Sequence, residues 1–140
     1  MNRLRLMNFF LLAGLLALCI PAFAHHGAAA YANKVVALKD ATVTKFLWAN
    51  PHCILMFDAK DDSGNVAHWA GEEGSPSAIG LLGWNKNSVK PGDVITVYLY
   101  PAKSGNPVGR LNKVVLADGT TLRDSQLGGE ASKDQYGDQH

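Results

Sequence analysis

The sequence predicts an all-β domain with one short helix. Runs dense in β-branched and aromatic residues alternate with turn signals along most of the chain. A single helix start, Ser75-Pro76, falls between the third and fourth of these runs. The length, 140 residues, suits one compact domain and excludes a multi-domain enzyme. Thirteen Lys and Arg stand against twelve Asp and Glu, which leaves no electrostatic footprint for nucleic acid.

The first segment reads as an address. Arg3 and Arg5 form a basic head, and the twelve residues from Phe9 to Ile20 carry no charge. Twelve are too few for a helix across hydrocarbon, which takes roughly 20. Pro21 and the small residues of Ala22-Phe23-Ala24 then complete a secretory signal peptide cleaved after Ala24. The expected product is periplasmic or secreted, with no membrane attachment after cleavage. It spans 25–140, with eleven basic and twelve acidic residues, a net charge of −1 with neutral His. Cys19 leaves with the signal, so Cys53 has no partner for an internal disulfide and the fold must hold by its core.

After an Ala-rich lead, Val35 to Trp48 reads as the first strand, with a bend or bulge at Asp40. Asn50-Pro51 is a turn, and His52 to Asp58 a second strand. Asp61-Asp62-Ser63-Gly64-Asn65 makes a tight hairpin to Val66–Ala70. Ser75 caps, and Pro76 opens, a helix of two or three turns with apolar contacts from Ile79, Leu81, Leu82 and Trp84; Gly80 and Gly83 weaken it. Pro91-Gly92-Asp93 turns into a fourth strand, where Ile95, Val97 and Leu99 alternate with Thr96, Tyr98 and Tyr100. A loop with Gly105, Pro107 and Gly109 leads to a fifth, Leu111 to Leu116, and Asp118-Gly119 turns into Thr121-Leu122. Three strands, a helix and two strands are the element order of a five-stranded OB-like small barrel spanning 25–122, with a polar tail over 123–140. The alternative is a small open β-sandwich, since periodicity does not report closure.

Four of the five histidines bear on chemistry. Cleavage would make His25 and His26 the first two residues, so that His25 offers an α-amine and an imidazole to one metal ion. Nitrogen donors in that arrangement suit Cu(II) first and zinc second. The plainer reading is an exposed pair with no role. In the hairpin, a three-residue loop at Asp62–Gly64 makes opposed residue numbers sum to 126, which sets Ile54 against Glu72 and His52 near Gly74. His52 and Glu72 then become diagonal neighbours on one face, while His68, opposite Asp58, lies ~20 Å from His52 as a half-exposed strand residue. The plainer readings are a His52 bonded to local backbone and a solvated Glu72-Glu73 corner. Cys53 has the opposite parity and reads as core. Trp48, Trp69 and Trp84 read as core or groove-lining aromatics. The G-x-S-x-G, H-E-x-x-H and C-x-x-C-H patterns are absent, and no nucleophile–base grouping suggests an enzyme.

The order Ala24-His25-His26-Gly27, Asn50-Pro51-His52, Trp69-Ala70-Gly71-Glu72, Gly74-Ser75-Pro76, Gly83-Trp84, Pro91-Gly92-Asp93 and Asp118-Gly119 resembles a family of small exported bacterial proteins catalogued only as a domain of unknown function. The resemblance runs to about Leu122; Ser77 and Glu73 depart from it, where Asn and an apolar residue are usual. It implies export and a compact β domain, and no reaction.

The leading expectation is an exported metal-binding module, copper before zinc, with His25, His26, His52 and Glu72 as the metal site. The alternative is a metal-independent OB-like module holding a periplasmic protein or a glycan on Tyr98, Tyr100 and Trp48.

Overall fold

The structure, a computed structural model, describes residues 30–124. The segment expected to be a signal peptide, His25, His26 and residues from 125 onward lie outside the described residues. Six strands and one helix follow in order: β1 (Val36–Leu47), β2 (Ile54–Lys60), β3 (Val66–Glu72), α1 (Pro76–Gly80), β4 (Val94–Pro101), β5 (Val108–Val115) and β6 (Thr121–Arg123).

Antiparallel pairing gives the sheet order β3-β2-β1-β4-β5-β6, and a parallel β3–β5 pairing closes it. Five strands thus form a closed mixed barrel, OB-like in topology, and β6 is added along β5. Closure rests on three pairs, Ala70↔Val108, Gly71↔Gly109 and Glu72↔Arg110. It depends on Gly109, where a Cβ would stand 2.6 Å from Leu99 Cδ1 and 2.8 Å from the Tyr100 carbonyl. The Gly105–Gly109 stretch, read above as a loop, therefore becomes strand from Val108 because a residue without a side chain fits the seam.

The predicted alternation holds in the core. Leu55, Phe57 and Ala59 of β2 face Ile95, Val97 and Leu99 of β4, all buried, with Ala41 and Val43 of β1 and Leu111 and Val114 of β5. Fully burying one such Leu or Phe side chain contributes roughly 1.5–3 kcal/mol. Asp40 takes a left-handed backbone, φ 53°, where the β1–β4 register shifts between Leu38 and Ala41: the expected bulge.

The helix is shorter than expected. The Ser75 hydroxyl accepts the Ala78 amide and Pro76 opens α1, which has only five residues. Gly80 is already its last residue, and Gly83 adopts φ 96°, a conformation that ends helices. Ile79 and Trp84 enter the core, whereas Leu81 and Leu82 point to solvent, 89% and 45% exposed. Ordered structure also continues past Leu122: the Trp84 indole donates to the Arg123 carbonyl at 2.9 Å, and the Asp124 amide to Asn112 O at 2.9 Å. No helix among the described residues is long and apolar enough to cross a membrane.

Candidate metal centre

The β2–β3 hairpin builds the candidate site. Asp61 Oδ1 accepts the amides of Ser63 and Asn65, both at 2.9 Å, and Gly64 takes φ 84°. This loop sets the register Ile54↔Glu72 through Lys60↔Val66. Pairing continues beyond the named strands, with Cys53 N–H on Gly74 O at 3.0 Å and Glu73 N–H on Cys53 O at 2.9 Å. His52, held behind the cis Asn50-Pro51 peptide, is thereby brought to Glu72.

The His52 ring is 41% exposed, and its Nδ1 lies 2.9 Å from the Glu73 carbonyl and 3.5 Å from Glu72 Oε1. A carbonyl only accepts, so Nδ1 carries the proton in this contact, and in the neutral form of such a ring the acceptor nitrogen is Nε2. Glu72 Oε2 accepts the Tyr31 hydroxyl at 3.1 Å. Burial, reinforced by the Glu72 charge and this hydrogen bond, holds the Tyr31 phenol above its ordinary value, with Arg110 opposing. Arg110 is the register partner of Glu72 across the β3–β5 seam.

Glu73 departs from the solvated corner. It is fully buried, both carboxyl oxygens lack a hydrogen-bond partner among the described residues, and burial with the nearby Asp124 charge pushes its pKa up to about 9. Asp124 Oδ1 accepts the Gly74 amide at 2.8 Å. Cys53 is fully buried, as its parity implied, and burial pushes its thiol up.

Of the four expected site residues, His52 and Glu72 meet; His25 and His26 lie outside the described residues. Among the described residues, no three His, Cys, Asp or Glu side chains converge to hold a metal. His68 pairs elsewhere, Nδ1 2.7 Å from Asp58 Oδ1, and is 83% exposed, not half-exposed as expected. Of the aromatics, Trp48 packs edge-on against Phe46 and Lys113 Nζ stands 4.6 Å over the Tyr98 ring. Sequence reasoning missed Tyr31, Arg110 and Asp124, because each reaches the corner only through barrel closure or a chain end.

These features define a small OB-like barrel with a histidine–carboxylate corner at the closing seam. Residues 13–112 match the model of DUF6152, a family of unknown function, and the chain belongs to that family. No curated protein and no solved structure matches the chain.

Proposed function

We propose that the protein is an exported copper-binding module whose site combines the His25 amine and imidazole with His26 and the Nε2 of His52. One observation carries this reading: the His52 Nδ1–H is directed at the Glu73 carbonyl, with Glu72 Oε1 beyond it. Metal-bound histidines are held in this way, with the far nitrogen donating to a carbonyl or carboxylate, which fixes the ring and raises its basicity. Glu72 then serves as the outer acceptor, not as a ligand, since its two oxygens attend to His52 and Tyr31.

Chain reach supports the same assembly. Tyr31 is six residues after His25 and its hydroxyl rests on Glu72. Six residues span up to ~20 Å when extended, so a chain beginning at His25 has the length to bring its first residue toward His52. Nitrogen donors around a tetragonal ion favour Cu(II), with zinc as the second candidate. Calorimetric titration of protein starting at His25 with Cu(II) tests the reading. One tight site is expected, weakened in both His25→Ala and His52→Ala. Unchanged affinity in either variant removes the assembly.

A further inference from the structure

Further along the hairpin from His52, the outer wall of the barrel carries donors that the proposed function leaves unused. Leu55, Phe57 and Ala59 fill the core, so Met56 and Asp58 point outward from β2. Asp58 stands opposite His68 and Met56 opposite Ala70, which makes Met56 and His68 diagonal neighbours on one face. Such positions lie about 7–8 Å apart, within reach of a long side chain. Both line one groove of about 480 Å³, walled by Thr44, Ala70, Pro107 and Val108.

The His68 ring is oriented for an ion. Its Nδ1 lies 2.7 Å from Asp58 Oδ1, and its side chain is 83% exposed. A carboxylate only accepts, so Nδ1 carries the proton in this contact, and in the neutral form of such a ring the acceptor nitrogen is Nε2. A carboxylate behind the ring is the arrangement that fixes metal-bound histidines and raises their basicity. An exposed ion pair alone would account for Asp58 and His68, but the thioether beside them adds a soft donor that pairs with neither.

The donors select the ion. Among the described residues, no three His, Cys, Asp or Glu side chains converge, so the groove lacks the ligands that zinc takes. Thioether sulfur is polarisable and selects Cu(I), a closed-shell ion that accepts linear or trigonal coordination. No lysine or arginine is among the described residues that line the groove, and the Asp58 carboxylate behind the ring balances one positive charge.

We propose that Met56 and His68 form a Cu(I) site separate from the one proposed around His52. Met56 Sδ and His68 Nε2 bind the ion, and Asp58 holds the imidazole. The two sites share no residue and take different oxidation states, so this one does not rest on the other.

Oxygen-free titration of the full chain with Cu(I), in competition with a chromogenic Cu(I) chelator, tests the site. The wild type should withhold one equivalent more than Met56→Leu or His68→Ala. Leucine is close to methionine in volume, so Met56→Leu removes the sulfur and keeps the wall of the groove. Asp58→Asn should weaken the same equivalent by about 10–100-fold, and His52→Ala should leave it unchanged. Cu(I) is diamagnetic, so NMR of methyl-labelled methionine reads the contact directly. The Met56 methyl and His68 Nε2 signals should shift together and stop at the same equivalent. Withholding equal to wild type in Met56→Leu, His68→Ala or Asp58→Asn, loss of the equivalent in His52→Ala, or a Met56 methyl signal unmoved at saturation would each overturn the site. A failed Cu(II) titration of the His25 assembly leaves these results untouched.

Discussion

Glu72 Oε2 accepts the Tyr31 hydroxyl at 3.1 Å across 41 residues of sequence, which pins the incoming N-terminal chain to the corner that holds His52. The tether is reinforced along the backbone, where the Ala32 amide donates to Pro101 O and the Lys103 amide to Ala30 O. Under the proposed copper reading, a chain held this way at Tyr31 would be partly pre-organised, and pre-organisation cuts the ordering cost of binding. Tyr31→Phe should therefore weaken Cu(II) binding several-fold while the fold stays intact. Glu72→Gln should cost about 10–100-fold, the usual range for an outer acceptor of a metal-bound histidine. Competition titration against a chelator of known strength measures both; a Glu72→Gln site as tight as wild type contradicts the assigned role.

Glu73 makes stability depend on pH. Its carboxyl titrates near 4.5 in the unfolded chain and at about 9 in the folded protein. Between those values the folded state holds a proton that the unfolded state has lost, so this contribution is full below about 4.5 and is lost as pH rises toward 9. One proton corresponds to at most about 1.4 kcal/mol per pH unit. Urea unfolding of the wild type from pH 5 to 9 should show a midpoint that falls steadily from this source, and Glu73→Gln should flatten the fall and be the more stable protein at pH 8. Parallel curves for the two proteins count against a buried neutral Glu73.

The hairpin was legible because its determinants are local. A three-residue loop closed by Asp61 and Gly64 dictates which residues face each other, and that register alone places His52 beside Glu72. The bulge at Asp40 and the inward set of β4 follow equally from short-range pattern. Closure was not legible, since it joins β3 to β5 through a glycine whose role appears only when Leu99 and Tyr100 are in place. Glu73 shows a conflict between two rules. Strand parity puts it inside with Cys53, whereas its charge argued for solvent; parity won, and the cost appears as the raised pKa. The same parity signal could have found it.

Two glycines should respond in opposite directions to alanine. At Gly109, a Cβ meets Leu99 Cδ1 at 2.6 Å and the Tyr100 carbonyl at 2.8 Å, and the backbone oxygen has little freedom to move. Overpacking of this kind costs about 1–3 kcal/mol, and here it would strike the β3–β5 seam. At Gly80, the last residue of α1, nothing lies within 4 Å of the added carbon. Gly80→Ala should stabilise by about 0.5–1 kcal/mol through reduced freedom of the unfolded chain. Chemical denaturation of the pair measures this; a Gly109→Ala protein as stable as wild type would show that the seam is not tight.

Trp84 ties the end of β6 to the core, and so governs the strand end that carries Asp124. The indole is 3% exposed and donates to the Arg123 carbonyl at 2.9 Å, while its ring lies 5.5 Å from that of Phe46. Trp84→Phe keeps an aromatic ring against Phe46 but removes the donor and part of the packed volume. A buried acceptor losing its partner costs about 1–3 kcal/mol. The loss should be felt first at the chain end, because β6 has only three residues and its neighbour Asp124 holds on through the Asn112 carbonyl and the Gly74 amide. Amide exchange at Asp124 should therefore accelerate more than at Val97 or Leu99 in the barrel wall. Uniform acceleration across all these amides would mean that Trp84 supports the whole barrel equally, and that β6 is not separately anchored by it.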